Sequence, residues 1–295
     1  MPENTQTLAA GGALTQEQVA ALLLQPLQAQ SIFLAAGPRI FDTNGGNSLR
    51  IPTLTGSTGA GFVAEGAQIA EDDVSFADLR LLPITMSSVK VVTRVSDELL
   101  RQSTVALDQV LRTRLVGDVA AALDRELIAG TDTTGTRPLG MLNYAGTQKI
   151  AAGAAASFDL LLDMEAALIS ANVDPAGAVW LITPFVFAAL RKLKDNAGKY
   201  LLQPDITAGG GFSLFGRPVT VTSRIPTTGT TTKVTQVVLY KPSLIAVARD
   251  IAPTVQILTE RYADTGQVGI KVQARYDAAP MFPQSVVIAT GVVGG

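Results

Sequence analysis

Neither cysteine nor histidine occurs anywhere in the 295 residues, and this double absence removes whole reaction classes. No disulfide, thiolate nucleophile or imidazole base can be built, and a zinc site of the usual Cys and His kind is excluded. An enzyme on this chain would have to work with carboxylates, lysine, tyrosine or serine alone. Charge is scarce as well: charged residues are 16% of the chain, with 23 Lys and Arg against 25 Asp and Glu, for a net charge of -2. Such a balance gives no basic field to steer the chain onto nucleic acid, so contact with DNA is expected to be weak and non-specific. The run VAALLLQ at 19–25 is far too short to span a bilayer or to form a signal core, and the N-terminus MPENTQTLAAGG lacks a basic start and a lipidation motif. We therefore expect a chain made and used in the cytoplasm, with no membrane partner.

What is present is a core. Hydrophobic residues make up 47% of the chain and mean hydropathy is +0.30, which fits a folded chain of one or two domains. A T-x-x-Q capping box at 15–18 starts a short helix that Pro26 ends. The Gly-, Asn- and Pro-rich segment AAGPRIFDTNGGNSLRIP then reads as an arm running extended across a surface, until a strand begins at 49–54. In the stretch GFVAEGAQIAEDDVSFADLRLLPITMSSVKVVTRVS (61–96), strands are expected at 61–64 and 74–82, joined through the acidic residues Glu71, Asp72 and Asp73. Its middle is too poor in large side chains to pack a core of its own. It reads as a flap.

At Ser96 the pattern turns helical, with Ser96 as N-cap and Asp97 and Glu98 at the positive end of the dipole. After a break near Ser103 and Thr104, Leu107, Leu111, Leu115, Val119, Leu123 and Leu127 recur at i+4. With Val116, Ala120 and Ala122 widening the stripe, this predicts a long helix buried along much of its circumference and ended by Gly130. Pro138 and Gly140 fix the loop that follows. AAGAAAS (151–157) reads as a small-residue linker, and 158–171 as a helix with Leu161, Met164, Leu168 and Ile169 inward. Beyond it come a buried strand AVWLITP, a helix introduced by Pro184, strands in RPVTVTS and TQVVLYKPSLIAVAR, and a hairpin at YADTGQ leading into VGIKVQARYDAA and SVVIAT. The fold class is α+β.

Three fragments imitate catalytic motifs. GTDTTGTR (130–137) has the glycine spacing of a phosphate loop, but Thr136 stands where the lysine belongs and no strand precedes the glycines; a plain loop explains it. ADTG (263–266) matches the aspartic-protease triplet, yet a dyad needs two such aspartates, and a tight turn accounts for it. RKLKDNAGKYLLQPD (191–205) is the most charged local cluster; its polarity suits an exposed tip or the rim of a subunit interface better than an amine base.

Taken together, IPTLTGSTGAGFVAEGAQIAEDDVSFADLRLLPITMSSVKVVTRVSDELL, LDRELIAGT with RPLGMLN, LRKLKDNAGKYLL and LFGRPVTVTSRIP resemble, in order and spacing, the major capsid proteins of tailed bacteriophages. The resemblance covers the chain from about residue 14 to the C-terminus. It implies the Hong Kong ninety-seven fold: an N-terminal arm at 1–46, an extended loop at 47–83, a peripheral domain at 84–157 with a spine helix at 105–129, an axial domain at 158–249, and peripheral return strands at 250–295. It further implies a structural protein with no enzymatic role and no cofactor, assembling with itself into hexamers and pentamers of an icosahedral head around double-stranded DNA. Portal protein, a separate scaffolding protein and a decoration protein are the implied partners, and the virion, assembled in the host cytoplasm, is the implied location. The extended loop would lie over a neighbouring subunit through Glu65, Gln68, Ile69, Glu71, Asp72 and Asp73. Lys192, Lys194, Asp195, Asn196, Lys199 and Tyr200 would face the capsomer centre.

Some members of that family weld neighbours by an isopeptide bond between a loop lysine and an asparagine. Here no lysine lies between Phe62 and Val89, and the asparagine's place near Gln267 and Val268 lacks Asn, so contacts alone are expected to hold the shell. Only about a dozen residues precede the helix at Thr15, so either another polypeptide supplies scaffolding or the chain is already processed, and Met1 favours the former. Encapsulin nanocompartments share the fold and form the alternative, with a carboxylate or lysine enzyme third.

Overall fold

Strands β10 (Ile245–Leu258) and β11 (Gln267–Pro280), each of 14 residues, form the longest pairing of the molecule, with β1 (Arg39–Asp42) and β4 (Val89–Ser96) at its two edges. The computed structural model describes residues 31–43, 48–55, 62–63, 66, 75–102, 107–194, 198, 200, 212–230, 232–258 and 260–293. Period-two alternation decides how this four-stranded sheet packs. Ile270, Val272, Ala274, Tyr276 and Ala278 of β11 are buried on one face, while Lys271, Gln273 and Arg275 between them point to the other.

Against the apolar face lies the long helix, Leu107–Ala129. Its Leu115, Val119, Leu123, Leu127 and Ile128 are buried in one core with Val247, Ile270 and Val272, each contributing about 1.5–3 kcal/mol by leaving water. The helix is amphipathic, not buried all round: Arg114, Asp118, Ala122 and Arg125 are exposed. A short helix, Asp97–Gln102, precedes it, and Leu99 N–H donates to Ser96 Oγ at 3.3 Å, the cap read from the sequence. The expected break at Ser103 and Thr104, and the capping box at 15–18, lie outside the described residues.

Gly130 ends the long helix, but not by a left-handed turn. A Cβ there would clash with the carbonyl oxygens of Pro138 and Glu126, and one on Gly140 with the backbone of Ala129 and Gly130. Gly140 N–H donates to Gly130 O at 2.9 Å, so the two glycines let backbone meet backbone.

The second sheet has six strands in the order β5 (Gln148–Ala151), β12 (Val286–Val293), β9 (Val234–Tyr240), β6 (Val179–Ile182), β8 (Arg217–Val221), β7 (Ser213–Leu214). It is buried on both faces. Val179 and Leu181 enter the core under the long helix, whereas Trp180 and Ile182 enter a second core with Leu161, Met164 and Leu168 of the helix Phe158–Ser170 and with Val186 and Leu190 of the helix Pro184–Lys192. That double burial is why VWLI is an unbroken apolar run. Trp180 Nε1–H finds a partner in Leu214 O at 3.2 Å.

Several sequence expectations change here. The arm does run extended, but as the edge strand β1, parallel to β10, and one helical turn, Ile32–Ala35, precedes it. Residues 62 and 63 are not in a strand; the flap strand β3 (Ser75–Leu81) pairs instead with β2 (Leu49–Thr55). The segment 151–157 is no free linker, because Ala152 N–H bonds Thr290 O, Val293 N–H bonds Ala154 O and Ala156 N–H bonds Val293 O, zipping it along β12. Ile169 is 53% exposed, not inward: eight residues past Leu161, it falls beyond the buried stripe of 161, 164 and 168. Residues 250–293 divide between both sheets, since β12 lies in the six-stranded one.

Candidate assembly surfaces

The β2–β3 ribbon is rooted on the four-stranded sheet, on the face away from the long helix. Leu81, Leu82 and Met86 bury themselves there against Ala246 and Ala248. Leu82 takes a φ of +54°, a conformation that costs a branched side chain energy unless its surroundings hold it. They do: its N–H donates to Asp277 Oδ2 at 2.8 Å, while Asp277 Oδ1 accepts from Ala278 N–H at 2.9 Å. Burial pushes the Asp277 carboxyl above its ordinary value, and the two N–H groups pull it back. Next to it, Arg275 pairs with Asp250 at 2.9 Å and donates to Pro83 O at 3.2 Å, both side chains being largely buried. Thr85 Oγ donates to Gly135 O at 3.1 Å and Ser87 N–H to Thr136 O at 2.8 Å, so the strand's exit is clamped on both sides.

Between the two strands of the ribbon, the described residues are exposed. Phe62 stands wholly in solvent and Val63 is 44% exposed. A two-stranded hairpin alone is marginally stable in water, and an exposed phenyl group at its outer part gains nothing until something covers it. Glu65, Gln68, Ile69, Glu71, Asp72 and Asp73 lie outside the described residues.

The second predicted surface is the end of the helix Pro184–Lys192 and the loop after it. Lys192 is exposed in its last turn beside Arg191, where cations suit the helix dipole. Arg191 lies over the rings of Phe187 and Phe212, 5.9 and 5.6 Å from their centroids, and the two rings meet edge to face at 4.8 Å. Lys194 forms an isolated antiparallel bridge with Tyr200 and holds its ammonium 4.9 Å from the Tyr200 ring centroid. These contacts make 194–200 a closed loop, with Gly198 at φ +80°. Asp195, Asn196 and Lys199 lie outside the described residues. Phe215, at φ +51° in the β7–β8 turn, is 43% exposed and meets Phe158 edge to face.

The apparent catalytic motifs have structural explanations. In 130–137 the loop folds around its own acid: Asp132 accepts from Thr134 N–H at 2.7 Å, Arg137 N–H at 2.9 Å and the hydroxyls of Thr134 and Thr136. Those bonds hold its carboxyl well below the usual range, and they occupy the donors that a phosphate would need. ADTG closes a 3-10 segment, Glu260–Thr265, into Gly266 at φ +61°. A cavity of about 210 Å³ lies where the long helix ends, with Leu142, Asn143, Thr235 and Gln236 among its lining, and none of its lining residues is ionisable. Among the described residues no cluster of carboxylates is placed to hold a metal, and no helix is long and apolar enough to cross a membrane.

One anchoring residue escaped the sequence reading. Asp124, fully buried on the long helix, accepts from Ser31 Oγ at 2.5 Å, Ile32 N–H at 2.8 Å and Phe33 N–H at 3.4 Å. It thereby caps the helical turn Ile32–Ala35 inside the arm and ties that turn to the long helix. Its signal was an acid set inside the apolar stripe, between Leu123 and Leu127. Farther on, Asp42 of β1 pairs with Arg249 through two bonds of 2.5 and 2.8 Å.

Comparison with known proteins agrees with this geometry. The model of the phage capsid family matches residues 11–291. Over 199 residues the chain is 32% identical to the capsid polyprotein of Pseudomonas phage PAJU2, covering 63% of this chain and 29% of that one. Over 117 residues it is 26% identical to the major capsid protein of Halomonas phage phiHAP-1, covering 40% and 19% respectively. The matches thus span less than a third of these relatives' lengths. Among solved structures, the capsid of an empty GTA particle computed with C5 symmetry superposes with a TM-score of 0.74 at 18% identity, over 97% of this chain and 99% of the other. A structure from Mycobacterium phage Adephagia gives 0.71 at 17% identity, over 97% of both. The mixed helix and sheet architecture is that of the Hong Kong ninety-seven type of phage capsid.

Proposed function

The chain belongs to the phage capsid family, and from that premise we propose that it is a major capsid subunit, assembling as hexamers and pentamers into the closed icosahedral head of a tailed phage around double-stranded DNA. One observation carries the assembly reading: the β2–β3 ribbon is rigidly rooted through Leu82, Asp277 and Arg275, yet it holds Phe62 out in water. A flap built this way is stabilised by a neighbour. Its contact residues are Glu65, Gln68, Ile69, Glu71, Asp72 and Asp73, and Lys192, Lys194, Asp195, Asn196, Lys199 and Tyr200 serve the capsomer centre. In this reading the arm is 1–46, the extended loop 47–83, the peripheral domain 84–157 with the return strands from 250, and the axial domain 158–249, whose sheet β12 (Val286–Val293) joins.

Such contacts are heterologous, as ring and shell closure requires. Buried apolar area contributes roughly 25 cal/mol per Å², so many weak contacts per subunit hold a shell although each is reversible. Without lysine between Phe62 and Val89, the lattice is held without the welded loop bond. A portal, a scaffolding protein and a decoration protein are the partners this role calls for, with assembly in the host cytoplasm. DNA contact is non-specific and weak, which suits packaging and ejection. The family match and the capsid relatives favour a phage head over a nanocompartment shell.

Deleting 66–73 tests the proposal. The subunit should stay soluble and folded by circular dichroism while failing to form closed shells. Normal shells from the deletion would refute the flap as an assembly contact.

A further inference from the structure

The cavity of about 210 Å³ at the end of the long helix lies against the six-stranded sheet, with Ala129 and Thr131 on the helix side and Gln236 of β9 and Gly291 of β12 on the sheet side. The strands are irregular there. Ala289 pairs with Val237 and Val292 with Thr235, so Thr290 and Gly291 together stand opposite Gln236. This is a β-bulge, and Gly291 supplies the φ of +74° that it needs. Bulges are over-represented beside functional sites, where they re-aim a side chain. Opposite this one, Gln236 carries an Oε1 that is buried with no hydrogen-bond partner among the described residues, a costly arrangement for an acceptor unless something answers it.

The lining is rich in acceptors and poor in donors. The Thr235 hydroxyl donates to Pro226 O at 2.9 Å and the Thr228 hydroxyl to Val234 O at 3.4 Å. Asn143 Nδ2 donates to Gly130 O at 2.8 Å. What these side chains still offer is oxygen: the hydroxyl lone pairs, Asn143 Oδ1 and Gln236 Oε1. The long helix ends at Ala129, so the partial negative charge of its C-terminus falls at the cavity. No lining residue is ionisable, and Leu142 and Val234 supply apolar wall. Thr131 and Thr228 are exposed, which leaves the cavity open to a ligand arriving from solvent.

An occupant suited to these walls donates several hydrogen bonds, asks for none in return, carries positive charge and has a short apolar part. Carboxylate and phosphate present acceptors to acceptors and are excluded. We propose that the cavity binds a primary ammonium group on a short alkyl chain, its N–H groups directed to Gln236 Oε1, Asn143 Oδ1 and the threonine oxygens, and its methylenes against Leu142 and Val234. An ammonium has three donors and no acceptor, which matches what the lining lacks. Seated there, it bridges the end of the long helix to β9 and β12, so binding stabilises the joint between the helix and the six-stranded sheet.

The probe is n-butylammonium chloride, titrated into the unassembled full-length subunit and followed by calorimetry and saturation-transfer NMR, with butanol and butyrate as controls of the same length. The amine should bind roughly tenfold tighter than the alcohol, its hydrogen bonds being charge-assisted, and butyrate should not bind. Gln236→Leu should weaken the amine roughly tenfold. Gln236→Glu, which sets a formal charge at the same place, should tighten it, and the gain should vanish in acid as the carboxyl protonates. Opposite effects from two substitutions of one residue distinguish a ligand from a merely structural role, and the glutamate variant keeps the test alive if the leucine variant does not fold. Equal binding of amine and alcohol, or an amine affinity unchanged in both variants, would overturn the proposal and leave the cavity to water. In assembled material, uptake of the amine marks a free ligand, whereas its exclusion, with Gln236→Leu then weakening the shells, marks a lysine from a second copy.

Discussion

Carboxylates carry much of the specific bonding in this molecule, and whether desolvation or an arginine partner dominates divides them into two groups with opposite pH behaviour. Asp124 and Asp277 are raised above the ordinary 3.8, burial outweighing the hydrogen bonds they accept. Their linkage contribution is greatest below that value and is lost as pH rises through the raised one. Glu165 behaves the other way. Arg217, 2.6 Å away with both side chains mostly buried, holds it below the ordinary 4.5, so its contribution is present above that value and disappears as pH falls through the lowered one. Glu165→Gln should therefore cost about 1–2 kcal/mol at neutral pH, a gap that closes in acid; urea unfolding of the unassembled subunit across the acid range measures it, and a gap independent of pH would remove the ion pair as its cause. Asp124→Ala leaves two backbone N–H groups and a hydroxyl without their acceptor and should destabilise by about 1–3 kcal/mol. Limited proteolysis should then cut near residue 31 first, and an unchanged cleavage pattern would mean Asp124 does not anchor the arm.

Elements were legible where a local rule sufficed. Ser96 before Asp97 and Glu98, the i+4 ladder of the long helix, Pro184 at a helix start and the turn at Gly266 need only neighbours a few residues away, and each stands where the sequence put it. The misreadings are long-range. Nothing local says that 39–42 pairs with 246–249, that 49–55 and not 61–64 is the partner of 75–81, or that residues 152–156 line β12. The candidate site followed the same division: the charged loop after Lys192 was visible as a cluster, whereas Asp124 becomes an anchor only when residues 31–33 meet the long helix. Two predictions belong here. Gly140→Ala forces a methyl group into the backbone of Ala129 and Gly130 and should destabilise by at least the ~1–3 kcal/mol of core overpacking; a variant as stable as the parent would show that this junction yields. Reversing Lys194, Asp195 and Lys199 should change capsomer assembly and its salt dependence while the monomer melts nearly as before. Unaltered assembly with a lowered melting temperature would make that loop structural.

At the scale of the whole molecule the two sheets share one core. The link is Leu181, Val238, Tyr240 and Ile288 of the six-stranded sheet, packed with Leu123, Leu127 and Val247 beneath the long helix. In the proposed assembly, a ribbon rooted on one face and a charged loop beyond the helix Pro184–Lys192 place contacts at separate sites, as a propagating lattice requires. The most direct measurement is cryo-electron microscopy of the purified assembled protein, with nucleic-acid content read by absorbance from the same sample. The account predicts closed icosahedral shells, with DNA inside those recovered from infected cells. A monomer that never assembles, or small shells filled with protein cargo, would contradict it.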